Sequence, residues 1–391
     1  MKIAFHYFST HLGGQQIQIL NLARCFNSLG HDVIWIYEEK GAVLKEFSEY
    51  GSSVAIPVNK NKTLSKYYIT RSILIMYNLL KKYFFLKKYF QLNTPEIIIS
   101  SDSLMSLIIG KSIKNLNIKH FRLIGNDLEE YERVFRFYKI LNIDRDVKFY
   151  FGWPLVYQAL LKKGVSEKKL ANFQYNAVDT RKFHPLKREF RTEIKENLGF
   201  CKDEFIIGWV GRIEEINGAK HTLSLGKKLL DLGFSDFKIL FVGGGLFVNG
   251  KEDLTYINEF KEKALSLGLS KNIIFSGWID PNLIVNYLNI MDVVPMLEMD
   301  PSGGSILREA MACGRVALSV DGPSKTQRNF MKSNNSILVP HDNYIHEAAK
   351  EIIKLRENSE RIKEIGENAR IFSIKNLSFE TQAKDILSYY I

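Results

Sequence analysis

Residues 1–37 read MKIAFHYFSTHLGGQQIQILNLARCFNSLGHDVIWIY, and the order of patterns within them decides the fold class. MKIAFHY is an apolar strand, FSTHLGGQQ a glycine turn, and the segment from about Gln16 to Leu29 a helix that stops at Gly30. HDVIWIY is a second strand. Strand, turn, helix and strand make a βαβ unit, which is parallel and right-handed in nearly all cases. A ligand of such a unit sits at the carboxyl ends of the strands, here beside Gly13 and Gly14. The turn is Gly-Gly and not GxGxxG, so the dinucleotide fingerprint is absent and a nicotinamide enzyme is not favoured.

The same alternation continues outward. EIIISSD at Glu96–Asp102, HFRLIG at His120–Gly125, VKFYFG at Val147–Gly152 and ANFQYNAVD at Ala171–Asp179 extend one doubly wound α/β domain. After His184-Pro185 the text turns charged and helical, and a new strand, FIIGWVGR at Phe205–Arg212, starts a second series. A chain of 391 residues exceeds the size at which a single core stops growing. The expected organisation is therefore an N-terminal Rossmann-like domain over 1–185, a second over 186–372, and a closing helical segment over 373–391. Two such doubly wound, parallel-sheet domains facing each other would hold a ligand in the cleft between them.

The stretch MDPSGGSILREAMACGRVALSV, Met299–Val320, carries the clearest chemical signal. A Ser-Gly-Gly-Ser loop leads into a short helix from about Ile306 to Cys313, Gly314 stops it, and a β-branched run follows. A loop of that kind offers backbone N–H groups at a helix N-terminus, which suits a phosphate; an ordinary turn uses the same residues.

Composition narrows the partners. The 46% apolar and 25% charged residues are those of an ordinary globular protein, and the formal charge of +11 favours anionic partners. No uncharged apolar run reaches membrane-spanning length, and the start lacks a signal-peptide pattern, so a cytoplasmic location is expected. Cys25, Cys201 and Cys313 are far apart with no CxxC pair, and read as buried thiols and not as a disulfide or zinc set. Between Glu49 and Glu96 there is no acidic residue, while Lys81, Lys82, Lys87 and Lys88 stand among Tyr83, Phe84, Phe85, Tyr89 and Phe90. Basic residues interleaved with aromatics suit an anionic membrane surface, with an amphipathic helix packed on a sheet as the alternative. No nucleic-acid recognition pattern accompanies the patch.

Taken together, Gly13-Gly14, NAVDTRKFHP at Asn176–Pro185, GWVGRIEEING at Gly208–Gly218, the strand ends VGGG and FSGW, and LREAMACGRVALS resemble the group-1 retaining glycosyltransferases of the GT-B fold, along essentially the whole chain. The resemblance implies a hexosyltransferase-type enzyme. It would move a sugar with retention from a UDP- or GDP-sugar to a glycan acceptor, without a metal or other cofactor. The donor lies against the second domain and the acceptor against the first. By motif position Arg212 contacts the diphosphate, Glu309 the ribose, and the backbone of Gly304, Ser305 and Ile306 completes the phosphate cradle. Ser302 and Gly303 border the sugar, Gly14 approaches from the first domain, and Gly244 and Trp278 fall on the donor side. Arg212 would otherwise be a surface ion pair with Glu214 or Glu215, and Glu309 a solvated helix position.

Three positions depart from the family pattern. Asn217 stands where members usually carry a Lys, and Lys220 either substitutes for it or faces water. The family's first carboxylate, eight positions before Glu309, falls on Pro301; Asp300 or Glu298 could supply it if the loop holds an extra residue. The stretch after HFRLIG lacks the family's His. Asp127 there either bonds a sugar hydroxyl, as a catalytic-site residue, or caps the following helix. The leading expectation is a transferase acting on a lipid-linked or surface-polysaccharide acceptor at the inner face of the cell membrane. The alternative is a catalytically weakened homologue that stabilises an active transferase.

Overall fold

The computed structural model describes residues 1–391 except 9, 11–13, 58–67, 102, 125–146, 152–159, 163, 175–176, 216–217, 246, 249–250, 299–304, 324–325 and 391. The chain forms two compact units, Met1–Ala177 with Phe379–Ile391, and Val178–Ser378.

The first unit holds a parallel sheet in the order β3(Ser52–Ala55), β2(Asp32–Tyr37), β1(Lys2–His6), β4(Ile97–Ser100), β5(Lys119–Ile124), β6(Val147–Phe151) and β7(Leu170–Gln174). The chain leaves β1 in one direction and returns on its other side at β4, which makes the β1/β4 boundary the topological switch point. Alternate residues of each strand face opposite layers, and both layers are apolar. Ile3, Phe5, Val33, Trp35, Ile97 and Ile99 pack against the helix Gly14–Ser28. Ala4, Ile34, Ile36 and Ile98 face Leu86 and Phe90 of the helix Tyr68–Asn93 and Met105 and Ile109 of the helix Ser103–Ser112. The last helix, Phe379–Ser388, sets Phe379, Ala383 and Ile386 into the first of these layers beside the helix Gly14–Ser28.

The helix Tyr68–Asn93 sorts its basic residues by depth. Lys81, Lys87 and Lys88 are exposed, together with Met76, Tyr77, Leu80 and Phe84. Lys82 is not part of that surface: it turns inward, and its Nζ lies 2.6 Å from Oε2 of the buried Glu38. Its place among the surface-facing lysines is thereby corrected, because helical geometry rotates it about 100° from Lys81. His120 is buried, its Nε2 2.7 Å from Ser100 Oγ. Burial, with Arg122 and His6 nearby, pushes its imidazole down to about 3, so it is uncharged at neutral pH and is a core histidine.

The second unit is again parallel, in the order β12(Ile273–Phe275), β9(Lys238–Val242), β8(Ile206–Val210), β13(Val293–Met296), β14(Val316–Asp321) and β15(Ile337–Pro340). A short antiparallel hairpin, β10(Phe247–Val248) and β11(Lys251–Glu252), stands apart from it. Ile207, Trp209, Ile239, Phe241 and Leu318 point to one layer, with the helices Ala219–Asp231, Thr255–Ser266 and Tyr344–Glu357; Ile206, Leu240, Val294 and Ala317 point to the other, with the helix Ser305–Ala312. That helix ends as its sequence indicates. Gly314 takes φ +67°, its N–H donates to Met311 O, and Arg315 N–H reaches back to Ala310 O, the pairing of a glycine-terminated helix. Cys25 and Cys313 are buried free thiols, but Cys201 is exposed: it lies in the loop before β8, between Phe200 and Phe205, which turn into the core.

Candidate functional site

In the second unit the chain runs from β8 outward through β9 to β12, then restarts on the other side at β13. The crevice outside the carboxyl ends of β8 and β13 is therefore the position where such sheets hold ligands. Backbone hydrogen bonds lace the turns that emerge there. Gly211 N–H donates to Val242 O at 2.9 Å, Ile213 N–H to Gly244 O at 2.8 Å, and Gly243 N–H to Gly277 O at 3.1 Å. Gly243 has φ +130°, and a Cβ there would collide with the Gly211 carbonyl oxygen. A Cβ on Gly244 would strike the Trp278 indole and the Glu252 carboxylate. Glu252 in turn accepts the Gly245 N–H at 2.7 Å. Gly244 and Trp278 are thus brought into contact, with the indole partly exposed over the turn.

Arg212 projects from this lacing with about half its side chain in solvent, and its Nη2 lies 3.1 Å from Oε1 of the buried Glu214. The ion pair considered from the sequence therefore forms; it orients the guanidinium and leaves it at the surface. Across the switch point, Glu298 follows β13 and its Oε1 accepts the Gly218 N–H at 2.6 Å, at the start of the helix Ala219–Asp231. That carboxylate satisfies an otherwise unpaired donor and complements the positive helix end. Lys220, the second residue of the helix, is exposed.

The helix Ser305–Ala312 begins with Ser305 exposed and Ile306 half-buried, while Leu307, Ala310, Met311 and Ala312 enter the core. Its first N–H groups have no partner within the helix and carry the positive end of its dipole. Arg308 is buried over the Phe330 ring, 5.1 Å from its centroid, and burial pushes it down to about 10. Glu309 is half-buried, and burial pushes its carboxyl up to about 7, against the opposing pull of Arg308 and Lys182.

Gly14 opens the helix Gly14–Ser28 of the first unit. Asp127, Asn217, Ser302, Gly303 and Gly304 lie outside the described residues. Among the described residues no three His, Cys, Asp or Glu side chains are gathered in a way that could hold a metal ion. Glu298 enters the site through a contact that no motif announces, because its bond to Gly218 depends on which strand ends are neighbours.

Residues 190–372 match the family described as glycosyl transferases group 1. The match lies within the second unit and covers just under half of the chain. Two solved structures with the same architecture are a glycosyltransferase from Rickettsia africae and Anabaena HepE. The first has a TM-score of 0.75 at 18% identity, covering 100% of this chain and 97% of that one. HepE, solved with UDP and also with UDP-glucose, has in its UDP complex a TM-score of 0.75 at 15% identity, covering 100% of both chains. At that identity the likeness shows the fold, which is GT-B. Among curated proteins, the alpha-galactosylglucosyldiacylglycerol synthase of Streptococcus pneumoniae is 21% identical over 160 residues, 41% of this chain. The match spans about two-fifths (40%) of that relative's length. The matched stretch contains every described strand end of the second unit's crevice, from Gly211 to Glu298.

Proposed function

We propose that this protein transfers a hexose, with retention and without a metal, from a UDP- or GDP-sugar to a glycan acceptor that is lipid-linked or part of a surface polysaccharide. The observation that carries the reading is the crevice at the β8/β13 switch point, where the Arg212 guanidinium and the start of the helix Ser305–Ala312 belong to a domain that matches the glycosyltransferase family. The leaving group of such a reaction is a nucleoside diphosphate, so charge builds on its oxygens as the glycosidic bond breaks. Donors fixed in advance at that position are the largest aid available. A forked guanidinium and helix N–H groups are such donors, and both accept a diphosphate without reorganising. Glu309 then receives the ribose hydroxyls.

Isothermal titration with UDP and with GDP tests this. One of the two should bind, and Arg212→Ala should weaken that binding roughly 10–100-fold, the loss of one or two charge-assisted hydrogen bonds. Binding of neither nucleotide would overturn the reading in favour of a non-catalytic partner of an active transferase.

The acceptor half of the proposal draws on the helix Tyr68–Asn93. Met76, Tyr77, Leu80 and Phe84 form an exposed apolar stripe beside Lys81, Lys87 and Lys88, the composition of a surface that settles at anionic headgroups. No helix among the described residues is long and apolar enough to cross a membrane. The protein should co-sediment with vesicles containing phosphatidylglycerol and be released by high salt. Changing Lys81, Lys87 and Lys88 to Glu should have the effect of salt while leaving the fold intact. Lys82→Glu should instead lower the melting temperature, since it strands the buried Glu38. Equal sedimentation with neutral vesicles would refute the membrane role.

A further inference from the structure

At the opposite, amino edge of the second sheet lies a cavity of about 110 Å³ that the transferase reading does not use. Its position follows from three residues. Asp292 immediately precedes β13, Arg315 immediately precedes β14, and Asp292 Oδ2 accepts the N–H of Ile206, the first residue of β8, at 2.8 Å. The cavity is thus separated from the crevice by the length of the strands, about 13 Å for the four residues of β13 at ~3.3 Å each.

The helix Arg188–Asn197 forms one wall, and its charges are sorted by face. Arg188, Arg191 and Lys195, spaced i, i+3 and i+7, line the cavity with Thr192, while Glu189, Glu193 and Glu196 occupy another face. A helix stabilised by its own ion pairs would mix the signs along one face; here like charges are gathered, at a cost that an anion would remove. Arg315 and Lys202 complete the cationic lining, giving five positive side chains against two carboxylates, Asp203 and Asp292. Burial pushes the Asp292 carboxyl up, opposed by Lys195, by its bond from Ile206 N–H and by Arg315 and Arg191.

Two of these groups have donors placed for an acceptor that the protein does not provide. Arg191 Nε is buried with no hydrogen-bond partner, an uncommon state for an interior donor. Lys195 Nζ donates to Glu204 O at 2.8 Å and Lys202 O at 3.3 Å, which uses two of its three protons. Arg315 is held at the wall by its Nε bond to Cys313 O at 3.2 Å. The volume is several times the ~10–15 Å³ that one water requires.

We infer that this cavity is an anion site for a phosphate-type oxyanion, distinct from the crevice at the carboxyl edge and held chiefly by Arg191, Lys195 and Arg315. Forked guanidinium groups suit a tetrahedral oxyanion, and the acceptor missing from Arg191 Nε is one of its oxygens. The inference does not depend on the proposed transferase activity.

The test uses the full chain and inorganic phosphate as the probe, with ionic strength held constant by chloride. Calorimetry should show one phosphate bound per chain, and phosphate should raise the melting temperature where chloride does not. Arg191→Gln should weaken that binding at least tenfold, and Arg188→Gln, an exposed position that carries no folding risk, at least threefold. Binding should persist in Arg212→Ala, which separates this site from the crevice. Absence of a phosphate-specific effect, or binding that survives Arg191→Gln and Arg188→Gln but disappears in Arg212→Ala, would overturn it.

Discussion

Glu309→Gln should raise the stability of the protein above pH 8 by about 3 kcal/mol while weakening nucleotide binding. The Glu309 carboxyl is pushed up to about 7 by burial, from an ordinary value of 4.5. Below about pH 4.5 the folded and unfolded states both carry the proton, and no cost of burying a charge arises. Between 4.5 and 7 the unfolded chain releases a proton that the folded chain keeps, so stability falls as pH rises, and above 7 the full difference is lost. At ~1.4 kcal/mol per pH unit the loss is about 3 kcal/mol, and the amide, which never ionises, escapes it. Melting curves of both proteins from pH 4 to 9 read this directly: the variant should lack the decline between 5 and 7. If the ionised carboxylate is the ribose acceptor, wild-type affinity for UDP or GDP should rise from pH 6 to 8 with release of a proton. Glu309→Gln should bind about tenfold more weakly at pH 8, with that dependence gone. Identical melting profiles would remove Glu309 from this role.

Gly243→Ala should cost about 3–5 kcal/mol in urea unfolding and abolish nucleotide binding in whatever protein remains folded. Two penalties act together. A φ of +130° is one that L side chains rarely adopt, worth ~1–3 kcal/mol, and the new methyl would overlap the Gly211 carbonyl oxygen, worth a further ~1–3 kcal/mol. The obstacle is main chain, so no rotamer relieves it. Because Gly211 N–H is bonded to Val242 O, relief by backbone movement displaces Arg212 with it. Gly244→Ala is the comparison: its methyl meets the side chains of Trp278 and Glu252, which can swing aside, so it should cost far less stability. Equal costs for the two variants would contradict this account.

What the sequence made legible was local. The βαβ pattern of residues 1–37 was readable because period, turn and stop signals lie within one short span, and Gly314 as a helix stop needs only its own φ. What it withheld were bonds between distant segments. Lys82 reads like its neighbours until Glu38, 44 residues away, is folded beneath it. Glu298 reads as a substitute carboxylate, but its bond to Gly218, across 80 residues, exists only because β8 and β13 are adjacent. Cys201 resembles a core residue by composition alone; its exposure depends on the direction of a loop. The sorted charges of the helix Arg188–Asn197 were present in the text, yet their meaning required the strand edge against which they lie.

The last helix, Phe379–Ser388, has a consequence for biosynthesis. It completes a layer of the first unit, so that layer stays open while the 201 residues of Val178–Ser378 are made. At ~5–20 residues per second the interval is roughly 10–40 s. The second unit, one continuous run of chain, has all its own contacts before the first has its final ones. Residues made before the second unit are therefore among the last to finish folding, and for those seconds the helix Gly14–Ser28 presents the apolar bed of Phe379, Ala383 and Ile386 to whatever surrounds the nascent chain.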